Sequence, residues 1–247
     1  VAVYFGNAND YAIVIEGNTV TVRQKGGPDG TDTLREIESL DFANTNLSLY
    51  TAVTQLTEAQ LITFVEMYIA YFNRAPLAEG LSYWGSRLAD GMPLPQIAKS
   101  FFAQPETQAK YPDGMPLEQF VTEVFTNVLG HPPADKGRDY YVAEITAGRI
   151  DKAAFMLAVI NGAKAATGDP ADAAYLAAKA DIGTYFAALK GLMDREASET
   201  IMAIFDGSQA SAMQAKTRID TLFDATGGND DAGLTIQILG VADDPYA

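Results

Sequence analysis

Two pairs of adjacent aromatic residues are the side chains best placed to bind a ligand. They are Tyr83-Trp84 and Tyr140-Tyr141, and they stand 57 positions apart. An aromatic ring offers a flat apolar face with a polar edge, so such a pair can stack against the sugar rings of a polysaccharide. Aromatic residues at helical spacing also fill hydrophobic cores. Because Trp84 and Tyr141 fall on a predicted inward stripe, Tyr83 and Tyr140 are the candidate surface contacts.

Arg74 and His131 occupy corresponding turns just before these aromatic pairs. Arg74 precedes an Ala-Pro dipeptide at a predicted helix end. There a guanidinium can bind the last helical carbonyls, pair with Glu79, or hold an anionic ligand. His131 stands between a glycine and a proline and is the only histidine of the chain. It is either a plain turn residue or a ligand contact. The candidate ligand-binding residues are therefore Tyr83, Arg74, Tyr140 and His131.

The composition argues against the common catalytic sites. The chain has no cysteine and one histidine. That excludes cysteine nucleophiles, Cys-based zinc sites and multi-histidine metal sites, and it argues against a Ser-His-Asp triad. A carboxylate pair for glycoside hydrolysis depends on separation in space, and no sequence feature specifically supports one. We therefore predict no catalytic residues and a protein that is not an enzyme.

The charge balance is strongly acidic, with a formal net charge of −15 over 247 residues. Nucleic acids and anionic membrane surfaces both require clustered lysine and arginine, so neither is an expected partner. The balance favours solubility, cation binding or a basic partner. No apolar run approaches the length of a membrane span. The chain begins without methionine or a cleavable signal, so we expect a fragment or a processed product.

Apolar residues recur with helical periodicity in two related stretches. The first stripe consists of Leu61, Val65, Tyr68 and Phe72, and the second of Leu117, Val121, Val124 and Val128. In each stretch a proline-containing turn follows, then an inward aromatic residue and a closing glycine, Gly91 or Gly148. This agreement predicts duplicated three-helix units, with copies at residues 57–110 and 116–166.

The residues of these units also carry a family resemblance. They are Tyr71–Pro76 (YFNRAP) and Ala78–Trp84 (AEGLSYW) in the first copy, and Asn127–Tyr141 in the second. These stretches resemble DUF4214, a family of bacterial domains of unknown function often found in exported proteins beside RTX-type repeats. Related modules occur in surface-layer and other envelope proteins. The resemblance therefore implies binding or display rather than catalysis.

In the N-terminal stretch the residue pattern is typical of β-strands rather than of helices. β-branched runs at Tyr11–Ile15 and Thr19–Arg23 are separated by Gly17-Asn18, which predicts a β-hairpin. The following segment Gly26–Leu34 is predicted as a cluster of turns, and a short strand is predicted at Glu38–Phe42. Residues 1–51 therefore form the predicted small β segment.

Part of this segment, Gly30–Ala43, reads GTDTLREIESLDFA. It resembles the closing segment of RTX-type, or hemolysin-type, calcium-binding proteins, in which backbone carbonyls and aspartate oxygens bind Ca²⁺. The resemblance implies a calcium site at Asp29, Gly30, Asp32 and Asp41. This chain has only one half-turn of that pattern. A solvated turn whose aspartates cap their own backbone is therefore the other interpretation.

The C-terminal part is predicted to be helical over residues 169–226 and to end in a strand and an acidic tail. Asp169-Pro170 is typical of the start of a long helix. Gly227–Gly233 is predicted as a loop and a weak second cation site. Leu234–Leu239 alternates as a strand that can pair with the N-terminal strands in one small sheet. The acidic, cysteine-free end is typical of an uncleaved type I secretion signal.

These features predict a mainly α fold with duplicated three-helix units, a C-terminal helical section and a small β section. The predicted segments are residues 1–51, 52–168, 169–226 and 227–247. We predict a non-enzymatic module, secreted or displayed on a bacterial cell, with calcium as its candidate cofactor. Its predicted partner is an envelope polysaccharide or another surface component. The alternative is a C-terminal export and folding cassette of a larger type I-secreted enzyme or adhesin.

Overall fold

The fold consists of a helical body and a smaller β section, seen in a computed structural model that describes residues 1–228 and 233–246. Helices make up 57% of it, and the mainly α prediction with a small β section is confirmed. No helix within the described residues is both long and apolar enough to cross a membrane. The apolar residues form two clusters, a large one in the helical body and a small one in the β section.

Two small sheets form the β section. Its strands are β1 (Ala2–Val3), β2 (Tyr11–Glu16), β3 (Thr19–Gln24), β4 (Thr31–Arg35), β5 (Ser39–Asp41), β6 (Asn46–Ser48) and β7 (Thr235–Leu239). One sheet has the order β4-β3-β2-β7, and the other has the order β1-β5-β6. The predicted hairpin is confirmed, and the left-handed Gly17 (φ +55°) closes its turn.

The C-terminal strand β7 pairs in parallel with β2, with Ile13 opposite Ile236 and Ile15 opposite Ile238. These isoleucines are all buried: Ile13, Ile15 and Ile236 in the small cluster, and Ile238 in the large one. The predicted pairing of the C-terminal strand with the N-terminal strands is therefore confirmed, although two sheets form rather than one.

The segment predicted as a turn cluster is a strand over its second half. Thr33 of β4 pairs with Thr21 of β3, and Asp32 pairs with Val22. The β-branched threonines suit an extended backbone, and the neighbouring strand offers hydrogen-bond partners. The prediction of turns was therefore wrong for residues 31–34 and holds only for the residues before them, where Gly30 has a φ of +68°.

The first helical unit consists of three helices and a short fourth one. It contains α1 (Glu58–Phe72), α2 (Ala78–Ala89) and α3 (Leu94–Phe102), followed by the unpredicted short helix α4 (Pro105–Lys110). Thr57 and Gln60 form the predicted capping box at the start of α1. The helix ends at Phe72 because Asn73 adopts a left-handed conformation with φ +52°.

The second unit repeats this order with α5 (Leu117–Leu129), α6 (Asp135–Thr146) and α7 (Lys152–Lys164). Gly130 and Gly148 have positive φ values at the ends of α5 and α6. The helices that follow are α8 (Pro170–Thr184), which continues into a π-helical turn, α9 (Arg195–Ile204) and α10 (Gln209–Gly228). The predicted loop and second cation site at Gly227–Gly233 lie mostly outside the described residues.

The two copies differ in what covers their second helix. In α2 the buried face packs against the 3-10 turn Thr51–Gln55, where Val53 contacts Gly85 and the Val53 amide donates to Ser86 Oγ at 2.8 Å. No residue of α6 is fully buried. Tyr141 is half-buried, as the equivalent Trp84 is, and packs edge-on against Phe155. The 3-10 turn therefore distinguishes the first copy from the second.

Candidate functional site

A cleft of about 440 Å³ lies where the first helical unit meets the β section. α2 and the loop before it form one wall. β6 and Tyr50, which follows β6, form the other. The lining residues are Asn46, Ser48, Tyr50, Tyr68, Arg74, Leu77, Glu79, Gly80 and Tyr83. The fold thus brings Arg74 and Tyr83, two of the predicted ligand contacts, into one site.

Three tyrosines, Tyr50, Tyr68 and Tyr83, are among the residues that line this site. Tyr83 is half-buried, and its ring contacts the rings of Tyr50 and Trp84 edge-on, each at a centroid distance of 5.1 Å. Trp84 in turn packs edge-on against the buried Phe101 at 5.4 Å. Trp84 packs against the core cluster and Tyr83 lines the cleft, and both side chains are half-buried.

Arg74 is held mainly by the protein itself. Its Nε and Nη2 donate to the two carboxylate oxygens of Glu106 at 2.7 and 3.0 Å, and its Nη1 donates to the Ala75 carbonyl at 2.9 Å. Of the interpretations offered for Arg74, the pairing with Glu79 does not form, because α4 places Glu106 where both of its oxygens meet the planar guanidinium. Arg74 is 7% exposed, and it contributes only an edge to the cleft.

Arg87 is a second guanidinium that borders this site without lining it, because it stacks on the cleft residue Tyr83, and the sequence interpretation missed it. Its Cζ lies 3.4 Å from the centroid of the Tyr83 ring and 5.7 Å from that of Tyr50. The one available signal was its position four residues after Tyr83 on α2, which places the two side chains on one helix face. Tyr50 gave no local signal, because it reaches Tyr83 only through the fold.

Tyr140 and His131 lie in the second unit, and neither is among the described residues that line the cleft. Tyr140 is 58% exposed and contacts Tyr141 edge-on at 5.2 Å. His131 Nε2 lies 2.7 Å from Asp172 Oδ1, and its Nδ1 lies 2.8 Å from the Pro132 carbonyl oxygen. Both ring nitrogens face acceptors, so the bonds to Asp172 and to that carbonyl raise the pKa of His131.

The four predicted calcium ligands are divided between the two sheets. Asp41 lies on β5, whereas Asp29, Gly30 and Asp32 lie at and before β4. Asp29 Oδ2 accepts a hydrogen bond from the Tyr11 hydroxyl at 2.6 Å. Burial, and then that bond, raise the pKa of Tyr11 to about 12.

The ligand count near Asp29 and Asp32 is low for calcium. The Gly30 carbonyl already accepts a bond from the Gln24 amide at 2.9 Å. Among the residues that the structure describes, no group of three or more acidic or histidine side chains converges to hold a metal ion. Since Ca²⁺ takes six to eight oxygens, most would have to come from water or another segment. Calcium binding stays a prediction.

Residues 98–167 match the model of a family described as a domain of unknown function, DUF4214. The matched segment contains the end of the first helical unit and the whole of the second. The DUF4214 resemblance is confirmed for this part of the chain, while the RTX-like segment and the bacterial exported context stay predictions. No curated protein and no solved structure matches the chain.

Proposed function

We propose that this protein is a non-enzymatic, extracellular or cell-surface bacterial module that binds an envelope polysaccharide in the cleft between α2 and β6. The observation that carries this proposal is the arrangement of Tyr50 and Tyr83 in an open cleft of about 440 Å³. Ligand sites are concave, with apolar and aromatic walls and a few polar groups that fix orientation.

Polar groups suited to sugar hydroxyls surround the two rings. Asn46 and Ser48 on β6 are exposed at one wall, and Glu79 is exposed at the start of α2. Together they offer amide, hydroxyl and carboxylate groups that can donate to or accept from hydroxyls. This combination of aromatic rings and polar groups supports recognition of a sugar rather than of a purely apolar ligand.

We propose that the cleft binds the polysaccharide without cleaving it. Glu79 is the one carboxylate among the described residues that line the cleft. Glycosidases of the common type use two carboxyl groups that flank the scissile bond. Glu106, the nearest further acid in the Arg74 network, is engaged by Arg74 and lies 3.4 Å from Arg195 Nη2.

A glycan array with calorimetric titration of each bound glycan tests the proposal. We expect the wild-type protein to bind, and Tyr83→Ala and Tyr50→Ala to weaken binding about tenfold or more, as for a central aromatic contact. Tyr140→Ala is the matched control, because it removes the equivalent tyrosine of the second unit and should leave affinity unchanged. Thermal melting verifies that each variant is folded.

Three outcomes would contradict the proposal. The first is that no glycan on the array binds the wild-type protein. The second is that Tyr83→Ala and Tyr50→Ala both bind as the wild type does. The third is that Tyr140→Ala alone loses affinity, which would move the site to the second unit.

Calcium dependence forms a separate part of the proposal and rests on Asp29 and Asp32. We expect millimolar Ca²⁺ to raise the melting temperature of the wild-type protein, and the Asp29→Asn, Asp32→Asn double variant to lose this response. Mg²⁺ at equal concentration controls for ionic strength. Equal melting curves with and without Ca²⁺ would remove calcium from the proposal and leave the glycan site untouched.

The export cassette is the alternative proposal, and its support is the acidic C-terminal tail. β7 belongs to the four-stranded sheet, so deletion of residues 227–247 would damage the fold as well as any signal. A better experiment fuses residues 227–247 to a folded reporter in a host with a type I transporter. Appearance of the reporter in the medium supports export, and retention in cells argues against it.

A further inference from the structure

We infer that the cleft selects an acidic glycan and that the Arg87 guanidinium receives the carboxylate of its acidic sugar. This inference rests on the proposed function and adds the ligand's chemical class. Its basis is the difference between Arg74, which lines the cleft, and Arg87, which borders the cleft by stacking on Tyr83.

Arg87 is held in place by aromatic rings. Its guanidinium lies 3.4 Å from the Tyr83 ring centroid, and the rings of Tyr50 and Trp84 are 5.7 and 5.8 Å away. Its Nη1 donates to the Tyr83 carbonyl at 3.1 Å. A guanidinium oriented by stacking loses less side-chain freedom when it binds a ligand than a mobile one does.

The charge of Arg87 has no protein counter-ion within the described part of the chain. No carboxylate of those residues lies within 4.0 Å of it, and the bond to the Tyr83 carbonyl uses one of its five N–H donors. Arg74, in contrast, donates three N–H bonds to Glu106 and Ala75. Of the two guanidinium groups, Arg87 is therefore the one available to an anion.

The charges are ordered along one face of α2. Glu79, Tyr83 and Arg87 follow each other at intervals of four residues, so Glu79 and Arg87 lie about 12 Å apart along the helix axis. That distance exceeds the screening length of about 8 Å at physiological ionic strength. An anion at Arg87 would consequently feel little repulsion from Glu79.

The second helical unit carries the opposite order. Lys136, Tyr140 and Glu144 occupy the positions that correspond to Glu79, Tyr83 and Arg87, 57 residues later. Glu144 accepts two bonds from Arg149 Nε, at 2.9 and 3.0 Å, and a third from Nη2 at 2.6 Å. The fold of the helical unit therefore does not require a cation four residues after the tyrosine. Arg87 occurs only in the copy that forms the cleft.

The net charge of −15 makes the inference sharply testable. The protein as a whole repels polyanions, so a preference for an acidic over a neutral glycan requires a local cation. The probes are uronic acid oligosaccharides and their methyl esters, which keep the sugar backbone and remove the charge. They are placed on one array together with neutral envelope glycans, and bound pairs are titrated by calorimetry.

We expect the wild-type protein to bind the free acid about tenfold more tightly than its ester, the effect of one charge-assisted hydrogen-bonded contact. Arg87→Gln should abolish this preference and keep affinity for the ester. Arg87→Lys should restore only part of it, because an ammonium cannot form the bidentate contact. Arg218→Gln, which removes an exposed arginine of α10, is the control and should keep the full preference.

The outcomes separate the inference from the proposed function. Binding to no glycan overturns the proposed function. Binding of acid and ester with equal affinity, or binding of neutral glycans alone, leaves the cleft as a sugar site and overturns the inference. An acid preference that persists in Arg87→Gln assigns the carboxylate to another residue and also overturns it.

Discussion

Arg74 and Glu106 form a two-bond ion pair that joins the loop after α1 to α4, with side-chain exposures of 9% and 19%. Removal of one partner leaves the other charge buried without compensation. We therefore expect Glu106→Ala to lower the free energy of unfolding by about 3 kcal/mol. In the double variant Arg74→Met, Glu106→Ala, the free energy of unfolding should fall clearly less than in Glu106→Ala. Urea unfolding measures both, and equal losses would show that the pair itself is not the cause.

Gly80 and Gly137 are equivalent glycines of the two helical units with different surroundings. A Cβ on Gly80 would lie 2.5 Å from the Tyr68 hydroxyl, whereas one on Gly137 meets nothing within 4 Å. We expect Gly137→Ala to stabilise the protein by about 0.5–1 kcal/mol through helix propensity. Gly80→Ala should be at least about 1 kcal/mol less stable than Gly137→Ala. Equal effects in thermal and urea unfolding would contradict the close approach.

Lys179 on α8 is a buried ammonium that contacts the ends of α1 and α5. Its Nζ donates to the Asn127 carbonyl at 2.7 Å and lies 3.5 Å from Asn73 Oδ1. Burial, with a smaller contribution from Lys110, lowers the pKa of Lys179 from 10.5 to about 8. The folded state therefore gives up this proton at lower pH than the unfolded state does.

Because the folded state loses the Lys179 proton at lower pH, the free energy of unfolding increases with pH. The cost of burying charged Lys179 is fully present below pH 8 and disappears as the pH rises from about 8 to 10.5. We expect the unfolding free energy of the wild-type protein, relative to Lys179→Met, to rise over this window by on the order of 3 kcal/mol. The difference between the two proteins cancels the contribution of the buried tyrosines, whose pKa is raised by burial in the folded state and which lose their protons near pH 10 in the unfolded state. A difference in unfolding free energy that does not change with pH would contradict the prediction.

His131 should titrate above its ordinary value. Asp172 and the Pro132 carbonyl stabilise the imidazolium, so its stabilising contribution is present below pH 6.5 and is lost as the pH rises through the raised pKa. Since the His131 side chain is 52% exposed, we expect less than about 1 kcal/mol. His131 is the only histidine, so its NMR titration is unambiguous. Asp172→Asn should lower the pKa, and an unchanged titration would contradict the contact.

Local signals predicted most of the helical body. The capping box at Thr57 and the apolar stripe from Leu61 to Phe72 were both visible in the sequence, because each depends on residues three or four positions apart. The stripe residues are all buried as predicted. Helix-ending residues such as Gly91 and Gly148 adopt the positive φ values that glycine allows.

The cleft was predictable only in part. Tyr83 and Arg74 were identified from residue type and position, but Tyr50 and Glu106 reach them from remote parts of the chain. Glu79, close in sequence, was therefore the one acidic partner considered for Arg74, and the pairing forms with Glu106 instead. Contacts of this kind depend on how β6 and α4 pack against the first helical unit, and no local pattern encodes that.

The parallel pairing of β2 with β7 has a consequence for the order of folding. Ile13 emerges early in synthesis, but its partner Ile236 follows only after the entire helical body. The four-stranded sheet therefore waits for contacts of very large sequence separation, which form slowly because the intervening chain must first be ordered. We therefore expect the helical body to fold first and the four-stranded sheet to be completed last during refolding.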